Sequence, residues 1–426
     1  MSQSRELTAE AKYRLLMQMA QRVSGTFDLD EILGRLLDTV ATVLQYDAAG
    51  VFVLDRTNVA PPAGRAGQFI AGMSARGFDP RPPETDPMLR LGKGIVGHVI
   101  RTGTPVIAPD VGREPHYVQG RARTRSEIAV PVVVSGEPVG ALNLESDQLG
   151  AYDETDLEAL RFFADAAAIS IDKAILHRQV MERSWVESQL RLAHEIQSRL
   201  LPAAPPQAPG YDLAGTSLSA YDVGGDYYDY IPLSRDRLAV VVADVAGKGI
   251  PAALMMATFR ALLRTHLHID QNLLELVDAV NRSVVESVGL PAFVTCVFGL
   301  RDLPTGRFAY ANCGHNPPLI VRAGGEAEEL AAGGHFLGAF EDARPEIGEA
   351  ALASGDALLL YTDGVVDASP GDDEEFGVDR IASTVARARH RPAAAVVDAV
   401  VEATRAFSGA SAYRDDFTLV VVKRNE

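Results

Sequence analysis

Four aspartates stand where their chemistry would be usable. Asp226 follows Val223-Gly224-Gly225 and opens Tyr227-Tyr228-Asp229; Asp244 ends the apolar run Val241-Val242-Ala243, just before Val245-Ala246-Gly247-Lys248-Gly249. Asp363 follows Leu359-Leu360-Tyr361-Thr362 and precedes Gly364, and Asp415 stands in Arg414-Asp415-Asp416-Phe417-Thr418. Carboxylates at the ends of buried strands, once brought together, cannot all stay ionised unless cations lie between them. Oxygen donors at this density suit Mg²⁺ or Mn²⁺, and no histidine accompanies them at ligand spacing, which disfavours zinc. Two such ions about 3.5–4 Å apart would activate a water for in-line attack on a phosphoryl group. Gly224-Gly225 lets the backbone turn tightly before Asp226, and Gly247 and Gly249 let it bend past Asp244, so that backbone carbonyls can also reach a cation. Asp-Gly and Asp-Asp are each ordinary turn chemistry. The four together, in this order, point to a hard-metal hydrolytic centre in the C-terminal half.

Strands must present those residues. Apolar runs predict strands around 211–217, 227–232, 238–244, 292–300, 307–311, 318–322, 357–361 and 417–423, with helices over 251–268, 273–287, 378–388 and 392–407. Adjacent strands interrupted by paired helices indicate α+β layering rather than alternating βαβ units. Upstream, Pro202, Pro205, Pro206 and Pro209 end a helix that shows no breaker from about 153 to 200. Leu157, Leu160, Ala164, Ala167, Ile171 and Ala174 form one seam along it. Val186, Leu190, Ala193 and Leu200 form another, Gln197 is its polar member, and the phase slips near Trp185. A helix this long exceeds the globular norm and predicts an inter-domain coiled coil, hence a homodimer. Two amphipathic helices meeting at a kink are the alternative.

N-terminal to that helix, residues 6–45 read as helix with Asp28 or Asp30 as a cap, and 48–55 read as a strand. Residues 56–90 form a Pro-, Gly- and Arg-rich connection, and 91–100 a glycine-punctuated turn into a short helix. Residues 127–134 and 138–144 read as a hairpin with its two-residue turn at Gly136-Glu137.

A chain of 426 residues predicts two to three domains, and 47% apolar residues are ample for packed cores. A net charge of −17 argues against non-specific nucleic-acid binding, and an anionic phosphoprotein would need a locally favourable docking face. Cys296 and Cys313 match no zinc spacing and no disulfide framework, and read as small core residues. The N-terminus carries no apolar signal region and no apolar run of about 18 residues occurs, so a cytoplasmic protein with no membrane partner is expected.

The aspartate motifs do not stand alone. With Gln197, Leu200-Leu201-Pro202, Ala311-Asn312-Cys313-Gly314-His315-Asn316-Pro317-Pro318 and Phe376-Gly377, they make 211–424 resemble the SpoIIE-type branch of the PPM metal-dependent protein serine/threonine phosphatases. That branch includes regulators that dephosphorylate anti-sigma-factor antagonists. The resemblance implies a β-sandwich flanked by helices. It implies that Asp244 bridges two Mn²⁺ or Mg²⁺ ions, that the Val245 carbonyl and Asp226 serve one of them, and that Asp363 and Asp415 serve the other. Asp416 would orient the site, and a bridging hydroxide would attack phosphorus with no covalent phosphoenzyme. His315 is open to two readings, a general acid or a structural loop held by Asn312; Lys248 is either a phosphate contact or a solvated turn residue.

Residues 25–175 resemble a GAF domain, an antiparallel sheet with flanking helices. The features are Leu29 to Leu44, Gly92-Lys93-Gly94-Ile95-Val96-Gly97, Thr104-Pro105-Val106, Ser126 to Val134, Gly140 to Glu145 and the helix from Asp153. This half holds no cysteine, which excludes covalent bilin attachment. A small-molecule ligand is one implication, with His98 or His116 as contacts; a plain dimerisation platform is the other. The expected division is an N-terminal helix over 1–24, the GAF domain over 25–175, a linker helix and proline hinge over 176–210, and the phosphatase domain over 211–426. The function so implied is hydrolysis of phosphoserine or phosphothreonine on a partner protein, an anti-sigma-factor antagonist, under control of the GAF domain through the linker. A scaffold without turnover fits less well because all four acids are intact, and an enzyme acting on nucleotides fits less well because the chain is so acidic.

Overall fold

The computed structural model describes residues 25–54, 70–78, 93–269, 272–287, 293–340, 345–371, 374–409 and 414–425. Of the helix expected over 6–45, residues 6–24 lie outside the described residues and the rest is α-helical only over Leu29–Val40; most of the connection 56–90 and Leu91-Gly92 also lie outside the described residues. The chain divides into two compact units, Met1–Trp185 and Val186–Glu426. Among the described residues no helix is long and apolar enough to cross a membrane.

The first unit is built on one antiparallel sheet. Its strands are β1 (Ala48–Leu54), β2 (Ile70–Arg76), β3 (Val106–Ala108), β4 (Ser126–Val134) and β5 (Glu137–Ser146), in the order β2-β1-β5-β4-β3. Alternation along the strands builds two faces. Val51, Val53, Ile128, Val130, Leu142 and Leu144 meet helix α1 (Leu29–Val40) and the first half of α3 (Glu154–Ser198), while Phe52, Ala129 and Ala141 meet α2 (Gly94–Thr102). Asp28 caps α1, its carboxylate accepting the Glu31 amide at 3.1 Å. The β4–β5 turn lies one residue earlier than expected. Ser135 and Gly136 both take positive φ, 52° and 84°, and Glu137 already belongs to β5. Two left-handed residues in succession make the turn whose twist matches a two-residue hairpin.

Helix α3 is one unbroken helix, and the division between the units falls inside it. Its first seam does not await a partner: Leu160, Ala164, Ala167, Ile171 and Ala174 lie in the core of the first unit. The apolar residues it exposes are others, among them Ile169, Leu176, Val180, Met181, Trp185, Leu192 and Ile196. Near its end Gln197 is buried.

The second unit is a four-layer α/β/β/α sandwich. One sheet orders β13 (Ile347–Ala351), β10 (Arg307–Cys313), β9 (Val294–Asp302), β8 (Arg237–Val245) and β7 (Tyr227–Pro232). The other orders β12 (Ala327–Glu329), β11 (Leu319–Val321), β14 (Ala357–Tyr361), β15 (Phe417–Arg424) and β6 (Tyr211–Leu218). In β8, Ala239, Val241, Ala243 and Val245 face helices α4 (Ile250–Ile269) and α5 (Leu273–Ser287); Leu238, Val240 and Val242 face the opposite sheet. In β14 and β15, Leu359, Tyr361, Leu419 and Val421 face α7 (Gly377–Ala388) and α8 (Ala393–Ser408), while Leu358, Leu360, Val420 and Val422 point inward. Period-two apolar runs buried on both faces are what a sandwich clad in helices requires. Three short elements escaped the sequence reading: β12, β13 and the single-turn helix α6 (Asp363–Val366). Cys296 and Cys313 are buried neighbours across β9 and β10.

Candidate active site

Antiparallel pairing gathers the acids at one end of the sandwich. Tyr227 pairs with Ala243, so Asp226 at the start of β7 stands beside Asp244 near the end of β8. Tyr361 pairs with Leu419, so Asp363 just past β14 stands beside Asp415 and Asp416 just before β15. Asp226 and Asp244 continue the inward phase of Tyr228 and Val242, and Thr362, Thr418 and Asp416 that of Leu360 and Val420. One pair of acids thus comes from each sheet. The bond that joins them is Thr362, whose hydroxyl donates to Asp226 Oδ2 at 2.8 Å. The Thr362 oxygen in turn accepts the Thr418 amide at 3.0 Å.

The carboxyls sense one another. Asp226 is buried and raised well above the usual carboxylate range, first by burial and then by the charge of Asp244. Asp244 is pushed up to about 7 by burial, then by Asp363, Asp415 and Asp416; it also shares a side-chain hydrogen bond with Asp226. Asp363 is raised by burial and then by Asp415. Such a set titrates as one unit. Asp415 is half-exposed and faces the Lys248 ammonium at 3.0 Å. The Val245 carbonyl lies against Gly225, 2.8 Å from where a Cβ would stand, so only glycine fits there.

The fit to a cation rests on donor chemistry. The donors are all oxygen, and ionisation of carboxyls that raise one another's pKa is favoured by a positive charge between them, which suits Mg²⁺ or Mn²⁺. Among the described residues no group of three or more His, Cys, Asp or Glu side chains closes tightly enough to grip an ion.

The loop before Asp226 is tethered from two sides. Asp416 accepts the Ala220 amide at 2.8 Å and the Gly225 amide at 2.7 Å. Gln197 of α3 donates to the Gly224 carbonyl at 2.7 Å and accepts the Gly224 amide at 3.1 Å. Gly364 is pressed against the Asp416 carbonyl, where any Cβ would overlap it. Thr362 and Thr418 were not singled out from the sequence; the available signal was a hydroxyl beside each downstream acid, in Thr362-Asp363 and Asp416-Phe417-Thr418.

The remaining candidates find ordinary places. His315 is buried, exchanges hydrogen bonds with Asn312 (its amide to Oδ1 at 2.8 Å, Asn312 Nδ2 to its carbonyl at 3.0 Å), and meets the Thr295 hydroxyl at 2.8 Å. Burial lowers its pKa to about 4, and its bonds with Asn312 tie the loop as the structural reading expects. Asp229 is buried, accepts the Tyr227 hydroxyl at 2.6 Å and is ion-paired with Arg264 of α4. In the first unit His98 and His116 stack ring on ring, centroids 3.9 Å apart.

Known proteins are similar to both units. Residues 234–425 match the family described as Stage II sporulation protein E (SpoIIE), a range that holds Asp244, Asp363 and Asp415 and begins after Asp226. Residues 27–172 match the GAF domain family. Protein IcfG of Synechocystis is 28% identical over 264 residues, 56% of this chain and 42% of that protein. The phosphoserine phosphatase RsbU of Bacillus subtilis is 30% identical over 187 residues, 43% of this chain and 54% of that protein. The chain thus spans about half the length of the curated relatives it matches. Among solved structures, the SiaA-PP2C domain of Pseudomonas aeruginosa shares the fold, with a TM-score of 0.50 at 23% identity over 57% of this chain and 99% of that one. The strand-end carboxylates at one edge of a helix-clad sandwich, and the sheet with helices that precedes them, therefore belong to a chain that joins a GAF domain, matched over 27–172, to a SpoIIE-type domain, matched over 234–425.

Proposed function

We propose that the second unit hydrolyses phosphoserine or phosphothreonine on a partner protein, with Asp226, Asp244, Asp363, Asp415 and the Val245 carbonyl as the oxygens that hold two Mn²⁺ or Mg²⁺ ions. The observation that carries the reading is the gathering of acids from two sheets at one end of the sandwich, where burial and then the charges of Asp363 and Asp415 push Asp244 up to about 7. Bound there, divalent cations would supply the Lewis-acid charge and the activated water that hydrolysis of a phosphate monoester needs. The chain's own part is to hold its oxygens in place. Thr362 fixes Asp226, Asp416 fixes the loop that presents it, and Lys248 brings a positive charge to the rim where a phosphate dianion would arrive. The test is hydrolysis of an aryl phosphate and of phosphopeptides with and without Mn²⁺ or Mg²⁺. Asp244→Asn is expected to lower the rate by roughly a hundredfold or more, a loss of several kcal/mol of transition-state stabilisation. Metal-independent turnover, or full activity in Asp244→Asn, would overturn the reading.

Likeness to a phosphoserine phosphatase, RsbU, supports a phosphoserine-bearing substrate; our reading makes that substrate an anti-sigma-factor antagonist met in the cytoplasm. The GAF domain, over 25–175, would take a small-molecule ligand and act on the phosphatase domain, over 211–426, through the linker at 176–210. The apolar residues that α3 leaves exposed support a homodimer formed along that helix.

A further inference from the structure

Helix α3 ends with a polar residue buried among backbone. Gln197 is 9% exposed, and both ends of its amide are engaged by a single residue, Gly224. This is the pairing one strand offers another, made here by a side chain. The next residue, Gly225, is held from the other side by Asp416, and Asp226 follows directly. One turn earlier on α3, His194 Nδ1 lies 2.7 Å from the Asp222 carbonyl. From α4, Arg260 donates to the Leu200 carbonyl at 2.7 Å.

We propose that Gln197 is a positioning residue for the candidate metal centre: its side-chain amide grips the Gly224 peptide and so sets where Asp226 stands. The inference rests on the reading of Asp226 as a cation ligand. Gln197 reaches no acid itself; it acts through two peptide units. An amide that both donates and accepts is the one group that satisfies Gly224 at both ends. Removing it leaves a buried carbonyl and a buried amide without partners, and the loop is then free to carry Asp226 away from Asp244.

The experiment measures Mn²⁺ binding to the full-length protein by the loss of the free-ion paramagnetic resonance signal, a readout independent of turnover. Aryl phosphatase rate is recorded against Mn²⁺ concentration alongside it. Gln197→Ala is expected to bind Mn²⁺ roughly tenfold more weakly, the lower end of what loss of a supporting contact costs a metal site. Its rate at saturating Mn²⁺ should return close to that of the parent. Gln197→Glu keeps the acceptor for the Gly224 amide but sets an oxygen against the Gly224 carbonyl, and is expected to weaken binding as well. Arg199→Ala, exposed in the same turn, is expected to bind like the parent. Thermal melts identify any variant that fails to fold, and Gln197→Glu then decides the matter if Gln197→Ala does not fold. Parent-like Mn²⁺ affinity in a folded Gln197 variant would overturn the proposal, as would a rate loss that saturating Mn²⁺ leaves unrepaired. Absence of Mn²⁺ binding by the parent would instead overturn the metal reading on which it stands.

Discussion

Thr362 shows how much of the site is carried by groups that do no chemistry. Its hydroxyl proton goes to Asp226 and its oxygen receives the Thr418 amide, all without exposure to water. Thr362→Val keeps the shape and strands both partners, so a loss of about 1–3 kcal/mol is expected in urea unfolding, with Thr362→Ser recovering most of it. A second buried group governs pH. Glu127 lies directly across β4–β5 from Glu145, both buried, and Glu127 accepts the Asn143 amide at 3.0 Å. Burial, then the Glu145 charge, raises the Glu127 carboxyl from 4.5 to about 8. The folded chain thus retains a proton that the unfolded chain releases. Stability is fully present below 4.5 and declines as pH climbs to about 8. Calorimetry across that window should find the first unit's melting temperature falling, and Glu127→Gln, which still accepts from Asn143, should flatten the profile. The aspartates were legible because each sits in a motif that announces a turn or a strand end. Thr362 was not, and Gln197 stood out only as a polar member of its seam and of the family motif; that one meets a carboxylate 136 residues away and the other a peptide 27 residues away exists only after folding.

At the scale of elements, period-two apolar runs were enough to place most strands of the sandwich. They failed where the element is short or polar. All three residues of β12 are exposed, and α6 is a single turn. The β4–β5 turn was misplaced by one residue because serine rarely adopts the left-handed region that Ser135 occupies, and Gly136 drew the turn toward itself. This predicts an easy improvement. Ser135→Asn, with asparagine tolerated at φ 52°, should raise stability by up to about 1 kcal/mol, and Ser135→Val should lower it. Thermal melts of the two variants check the sign. Helix α3 corrects a different inference: the regular seam Leu160 to Ala174 looked like a dimer contact but is core, because sequence periodicity reports that a face is buried and not what buries it.

For the molecule as a whole, the exposed apolar residues of α3 are the feature that a lone chain leaves without explanation. Leu176, Val180 and Trp185 are 52%, 65% and 65% exposed. Light scattering of the full chain is expected to give a dimer, and a Leu176→Glu/Val180→Lys/Trp185→Glu triple variant a monomer with its melting temperature little changed. A parent that is monomeric at micromolar concentration would remove the dimer from the account.

The acids of the candidate site are drawn in equal shares from the two sheets, and Thr362 of one sheet reaches across to Asp226 of the other. An ion seated among them would therefore work as a rivet through both leaves of the sandwich as well as a reagent. Sequestering divalent ions should then behave like a mild, local denaturant, with protease nicking of Val186–Glu426 quickened by chelator and slowed by Mn²⁺ while Met1–Trp185 digests at an unchanged pace.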